Sequence, residues 1–439
     1  MEHGIALVQA RQELNGVLFD QDLAYDLCAE IDDELECIIH KVTNLVPPKP
    51  VSVGVEIKEP FKKNGQLKKT VWDWWGDDAP KVGGAYTRID WLKINLNSSQ
   101  QVKDYLLSQG WKPTQWNINP STGEKTSPKL TEDSYDSIDS EIPKMIARYN
   151  VLKHRRNTIL NIKDPLHKGW LSLLRDDGRL EAKSQPQATN TGRYRHSIVV
   201  NVPKASPKVV YGEQMRSLFV VPEGKLMLGC DASALEARME AHYCYDFEGG
   251  VEYAHELIDG DVHAKNAELF GTDRDGAKAP KYAMTYGAQP PKIADTLGIS
   301  LYQARQLYDA FWNGNTALAG FRDHVTDLWE KQKYLIGLDG RKIFIRSKHA
   351  IVNAMFQSGG SIVVKVATLF LNKWIRQRKL RANQILHFHD EFQFEIFPED
   401  QEEITELALD SFVKAGEFLN VKVPIVGEVK VGKNWCETH

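Results

Sequence analysis

The spacing of apolar and polar residues changes character several times along this chain. From Ile5 to His40, Leu14, Leu18, Leu23, Leu27 and Ile31 recur at mixed helical spacings with acids between them, which predicts a helix-rich stretch. From Pro47 to about Asn95 no helical or strand period lasts. Pro47-Pro48-Lys49-Pro50, the pairs Lys62-Lys63 and Lys68-Lys69, and the knot Trp72-Asp73-Trp74-Trp75 predict an insertion or lobe tip, with the tryptophans as its small core in preference to an exposed partner patch. Ser98 or Ser99 is placed to cap a short helix that stops at Gly110. A longer helix is predicted from about Ser140 to Ile162. Further on, the apolar run Leu226–Cys230 delivers Asp231 at its end, and a helical stretch carrying Glu236 and Arg238 follows. Gln384 to Phe397 reads as two alternating strands around a tight turn bearing His389-Asp390-Glu391. Between these segments Arg274, Lys278, Tyr282 and Tyr286 fall four residues apart. Each such step drifts about 40° around a helix, so the four share one broad face.

Composition narrows the class. With 439 residues, 42% of them apolar and 26% charged, the chain has the make-up of a globular protein of several domains, which excludes a disordered tail or a small disulfide scaffold. Five cysteines and no CxxC pair favour a reducing compartment. No apolar run approaches the length of a membrane span and no signal peptide opens the chain. The expectation is a soluble, multi-lobed, cytoplasmic protein.

Lys+Arg 55 against Asp+Glu 59 excludes a uniformly basic coat, but the charge is segregated: Glu141 to Arg216 holds 15 Lys/Arg and 6 Asp/Glu. A solvated helix face explains Lys153-His154-Arg155-Arg156. It explains less well why bases continue through Arg193, Arg195, Lys204, Lys208 and Arg216, whereas a polyanion cleft does.

Two aspartates brought together from distant strands cannot both stay ionised in a partly dry site without cations, and hard carboxylate oxygens suit Mg²⁺ or Mn²⁺. The plainer reading is that Asp231 ends a turn and Asp390-Glu391 solubilise a hairpin, which leaves His389 unexplained. Likewise the Arg274–Tyr286 stripe is either an amphipathic helix with snorkelling bases or a surface holding a triphosphate at one end and a base at the other.

Together these residues resemble a known family. Asp231-x-Ser233-x-x-Glu236-x-Arg238, Arg274-x3-Lys278-x3-Tyr282-x3-Tyr286-Gly287 and His389-Asp390-Glu391 look like motifs A, B and C of family A (polymerase I-like) DNA polymerases, in the expected order. The likeness is greatest to the replicative polymerases of T-odd short-tailed phages. It extends to Thr191-Gly192-Arg193, Tyr211 to Arg216, Gly260 to Asn266, Gly337 to Lys342, Asn353-x3-Gln357-Ser and Gly432-Lys-Asn-Trp-x3-His439, and is weakest from Pro47 to Asn95.

The resemblance implies an α+β right-hand fold: a helical thumb over 1–171 with an insertion at about 47–95, an antiparallel palm sheet from 172–243 and 353–439, and helical fingers over 244–352. It implies a DNA-dependent DNA polymerase extending a primer with dNTPs in phage replication. Asp231, Asp390 and the Ala232 carbonyl would hold two Mg²⁺ ions (or Mn²⁺), with Glu391 an accessory acid beside them. Arg274, Lys278 and His263 would hold the triphosphate, and Lys278 would protonate the leaving group. Glu236, braced by Tyr286, would exclude a ribose 2′-OH. The Tyr282 hydroxyl, where some relatives carry Phe, would favour dideoxynucleotides. Arg193, Asn353, Gln357 and His389 would touch the primer–template minor groove.

Three departures stand out. Pro280 lies inside the stripe-bearing helix and is expected to bend it. Arg195 to Pro203 is shorter than its counterpart. Met1 falls where the thumb would begin, which predicts no 3′–5′ exonuclease domain and no proofreading in this chain; Asp32-Asp33-Glu34 is an acidic helix face and no substitute. The implied protein partners are a separate exonuclease subunit and a thioredoxin-like processivity factor. Competing readings are a single-subunit phage-type RNA polymerase, a divalent-metal nuclease and a non-catalytic DNA-binding protein.

Overall fold

A computed structural model of the chain describes residues 1–113, 115–119, 121–130, 140–161 and 168–439. Two compact units emerge: Met1–Leu27 together with Thr158–His439, and Cys28–Asn157.

The larger unit is organised by a four-stranded antiparallel sheet of β1 (Leu226–Ala232), β2 (Ala382–Phe388), β3 (Glu391–Ile396) and β4 (Gly427–Gly432), in the order β2-β3-β1-β4. The two predicted strands around His389-Asp390 are β2 and β3. Asp231 pairs with Glu391 on one side and Glu428 on the other. One face of the sheet is apolar: Phe392 stacks on Phe412 of the helix Gln401–Phe418 with ring centroids 5.5 Å apart. All six β3 residues are buried, Gln393 and Glu395 included.

Four helices matter for the site: α1 (Leu235–Cys244), α2 (Val262–Phe270), α3 (Arg274–Thr285) and α4 (Ile351–Arg378). Asp261 caps α2 by accepting from the His263 and Ala264 amides, and Asp273 caps α3 by accepting from the Gly276 amide. Pro280 is buried within α3, and the helix runs through it as one element. The proline deletes a bond to the Gly276 carbonyl in the first turn without ending the helix. α4 corrects an expectation. The stretch Lys348–Arg378 is long and apolar enough to cross a bilayer, but 83% of its most apolar window is buried in the protein, so it serves as a core helix.

The helix-rich beginning is also broken where one stretch was expected. Helices Glu2–Asn15 and Gln21–Leu45 are separated by the strand Val17–Phe19, which pairs with Arg179–Leu180 and Phe219–Val220. Gly16, at φ +61°, makes the break.

In the smaller unit the 47–95 segment is not structureless. Lys49–Ile57 and Tyr86–Leu92 form an antiparallel pair, and Lys69–Trp75 is a short helix. Its tryptophans do not form a core: Trp72, Trp74 and Trp75 are 48, 42 and 40% exposed, while Val71 and Ala79 are fully buried. Arg88 lies over Trp74 at 3.8 Å. Ser98 caps the helix Ser99–Ser108 as expected, accepting from the Gln101 amide. The longer helix spans Glu141–Ile159; the expected end at Ile162 lies outside the described residues. Asp32 pairs with Arg156 (3.0 Å) and Glu34 with Arg148 (2.7 Å), so this acidic face is met by bases of the next long helix.

Candidate active site

The sheet sets two carboxylates side by side. β1 ends on Asp231 and Ala232, and β2 turns into β3 through His389 and Asp390. His389 takes φ +59°, a left-handed conformation costing an L-residue about 1–2 kcal/mol. Such strain persists only where the surroundings enforce it, and here it presents His389 and Asp390 at the hairpin tip. Burial, then the negative charges of Asp390 and Glu391, push the Asp231 carboxyl up to about 7. Burial also raises Asp390, against the opposing pull of Arg193 and His389.

Asp390 and His389 line a cavity of about 390 Å³ with Arg193, Glu236 and Gln357, so five separately singled-out residues share one wall. Asn353 stands one turn before Gln357 on α4, its Oδ1 buried without a hydrogen-bond partner. From Glu236 the constellation continues onto α3. The Tyr286 phenol is held well above its ordinary range by burial and by its hydrogen bond with Glu236. The Tyr286 and Tyr282 rings are 6.0 Å apart, and Tyr282 and His263 are 5.7 Å apart. The two tyrosines of the stripe therefore link His263 to Glu236. Burial, then the cations Lys281, Lys278 and Arg274, lower the His263 pKa and favour neutral imidazole. Arg274 and Lys278 are not drawn to the aspartates. They pair locally, Arg274 with Asp261 (2.5 Å) and Lys278 with Asp275 (2.8 Å), on exposed side chains.

Glu391 departs from expectation. A charged residue at a hairpin tip should face the cleft, yet Glu391 is the first residue of β3 and 2% exposed. Its Oε1 accepts from Trp435 Nε1 and Gln393 Nε2, both at 2.5 Å, and its Oε2 lies 2.7 Å from His439 Nδ1. Sequence reasoning also missed Lys281. Its ammonium donates to Glu240 at 2.5 Å, Tyr253 donates to the same carboxylate at 2.5 Å, and the Lys281 and Glu240 side chains are each 2% exposed. Glu240 stands four residues after Glu236, which places it on the same side of α1 and was a readable signal.

The donor set suits a hard divalent cation. It offers two carboxylates and the neighbouring Ala232 backbone, and burial makes ionisation of Asp231 costly unless positive charge is supplied. Among the described residues no group of three or more His, Cys, Asp or Glu side chains is placed to hold a metal ion.

The family model described as DNA polymerase family A matches residues 82–437. The DNA-directed DNA polymerase of Escherichia phage Phieco32 is 25% identical over a 615-residue alignment covering 100% of this chain and 98% of that one. That of Escherichia phage T7 is 26% identical over 498 residues, covering 100% of this chain and 70% of the relative. Among solved structures, the polymerase domain of Pol1 from M. smegmatis in complex with DNA primer-template and dNTP superposes with a TM-score of 0.76. It is 19% identical and covers 100% of this chain and 70% of that one, a likeness of fold. With a matching fold, residues of the first and third motifs lining one cavity and a family match over most of its length, the chain belongs to DNA polymerase family A.

Proposed function

We propose that this chain extends a primer 3′-OH with dNTPs on a DNA template, in phage DNA replication, by phosphoryl transfer assisted by two divalent cations. One observation carries the reading: Asp231 and Asp390, both raised in pKa, sit at adjacent strand ends where the second lines a cavity with Glu236, Arg193 and Gln357. Asp231, Asp390 and the Ala232 carbonyl would hold Mg²⁺, or Mn²⁺ as the alternative. When bound, these ions neutralise phosphate charge and make the primer hydroxyl more acidic.

The remaining chemistry belongs to the protein. Exposed ion pairs contribute little, so Arg274 and Lys278 exchange Asp261 and Asp275 for a triphosphate at little cost. Lys278 is then the proton donor to the departing pyrophosphate, and neutral His263 a further hydrogen-bonding contact. The Glu236–Tyr286 pair occupies the space beside a sugar C2′ and rejects ribose by clash. Arg193, Asn353, Gln357 and His389 check pairing geometry through minor-groove acceptors shared by all base pairs.

We assign 172–243 and 353–439 to the palm, because both contribute strands to the sheet, 244–352 to the fingers and 1–171 to the thumb. Co-purification tests the two implied protein partners, a separate exonuclease subunit and a thioredoxin-like processivity factor.

The test is extension of a primed template by the purified chain. dNTPs should be incorporated and rNTPs at least about a hundredfold less efficiently. Equal use of rNTPs would favour an RNA polymerase, and degradation without extension a nuclease. A narrower expectation concerns Tyr282. If its hydroxyl replaces the contact a missing 3′-OH would make, Tyr282→Phe lowers dideoxynucleotide use relative to dNTPs by about 10–100-fold. Unchanged selectivity in a competition assay refutes that role.

A further inference from the structure

The sheet face that carries Asp231 is covered from Trp435 to His439, and the proposed chemistry leaves this cover without a task. Asp231 and Glu391 are direct cross-strand partners, and such residues place their Cβ atoms about 4.5–5.5 Å apart. A glutamate in that position, left free, would reach the space beside Asp231. The structure instead turns it away. Trp435 Nε1 and Gln393 Nε2 occupy Glu391 Oε1, and His439 Nδ1 donates to Oε2 at 2.7 Å. Among the described residues the nearest other cation to Oε2, Arg216, stands 4.0 Å off, beyond hydrogen-bonding distance. Thus Oε2 depends on His439.

The cover is built to hold this arrangement. A Cβ at Gly229 would come within 2.4 Å of the Thr438 carbonyl oxygen, so a bare β1 is what lets the segment lie against the sheet. Thr438 Oγ1 donates to Gln393 Oε1 at 2.9 Å, which turns the amide nitrogen of Gln393 toward Glu391. Trp435 is fully buried, donates its backbone N–H to the Phe219 carbonyl, and meets the Phe219 and Phe388 rings edge-on at 5.3 and 5.2 Å. Arg216 lies over its indole at 4.3 Å.

We propose that His439 is a positioning residue of the transfer site: with Trp435 it holds the Glu391 carboxylate against the covering segment, so that two carboxylates rather than three face the cations. The inference rests on the polymerase reading of Asp231 and Asp390. An additional carboxylate bound to the ions would tighten their binding and dull the charge they present to phosphate. Loss of His439 therefore strengthens cation binding while slowing the reaction, whereas simple loosening of the site weakens both.

The experiment compares the intact chain with His439→Ala, His439→Asn, Glu391→Ala and the Glu391→Ala/His439→Ala double variant. Steady-state extension gives kcat and KM. Electron paramagnetic resonance gives Mn²⁺ binding to the chain on a dideoxy-ended primer–template without dNTP. His439→Ala should lower kcat about tenfold with the dNTP KM within about twofold, and lower the half-saturating Mn²⁺ about threefold. His439→Asn, whose amide stands near the place of Nδ1, should recover both to within about twofold. In the Glu391→Ala background, His439→Ala should change neither. Unchanged or weaker Mn²⁺ binding in His439→Ala, no recovery with Asn, or additive losses in the double variant would overturn the inference alone, provided the intact chain extends primers and Asp231→Asn does not. An intact chain that fails to extend removes the polymerase reading, and this inference with it.

Discussion

Asp231→Asn should reduce primer extension by at least about a thousandfold, while the same variant, stripped of divalent cations, should be more stable than the unaltered chain above pH 7. The first effect follows from removing a charged oxygen donor from a centre whose cations stabilise the transition state by several kcal/mol. The second follows from burial. The Asp231 carboxyl is raised from an ordinary value of 3.8 to about 7, so the folded state holds its proton more tightly than the unfolded state does. Below pH 3.8 both states are protonated and the carboxyl contributes fully. As pH climbs toward 7 the unfolded chain ionises freely and the folded one resists, so stability is lost across that window. Allowing for partial exposure and solvent screening, the loss is about 1–3 kcal/mol. Denaturation in chelator at pH 8 should show the variant above the unaltered chain by a few degrees, and the gap should close near pH 4. Added Mg²⁺ should raise the unaltered chain and leave the variant behind. Equal melting at pH 8, or extension within tenfold of normal, contradicts this account of Asp231.

The second large effect concerns stability alone. Lys281→Ala should destabilise the folded chain by about 3–5 kcal/mol, because it strands the Glu240 carboxylate in a buried position with only the Tyr253 hydroxyl. Replacing both members, Lys281→Met with Glu240→Leu, should restore only part of the loss: apolar side chains of similar volume carry no desolvation penalty, but the buried Tyr253 hydroxyl loses its acceptor. Denaturant unfolding checks both. A single variant within 1 kcal/mol of the unaltered chain would mean that the pair is not buried as described. Lys281 precedes Tyr282 on α3, so the single variant should also weaken dNTP binding by loosening the helix that carries Arg274 and Lys278.

What the sequence revealed and concealed divides by range. The strand ending in Asp231, the turn at His389-Asp390 and the four-residue stripe on α3 were legible because each is a local pattern. Glu391 was misread for a long-range reason. In β3 the polar positions Glu391, Gln393 and Glu395 alternate with aromatics and look like a solvent face, but that face is covered by residues distant in the chain: Trp435 and His439 on Glu391, Thr438 on Gln393, and Arg179 and Lys225 on Glu395. For the Glu240–Lys281 pair the position of Glu240 on α1 was readable, but its partner, 41 residues further on, was not. In the 47–95 segment the opposite held. Val51, Val53, Val55 and Ile57 alternate, but prolines before them and Gly54 among them masked a strand whose side chains are mostly exposed.

The strand order has a consequence for synthesis. β1, which carries Asp231, lies between β3 and β4, and both of those neighbours are encoded far downstream. While a ribosome is still making α4, β1 has emerged with both hydrogen-bonding edges bare, the condition in which strands pair with the wrong partner. Loop closure over such a span is slow, so catalytic competence should arrive late and in one step, when the β2–β3 hairpin and β4 dock on either side of a strand already waiting.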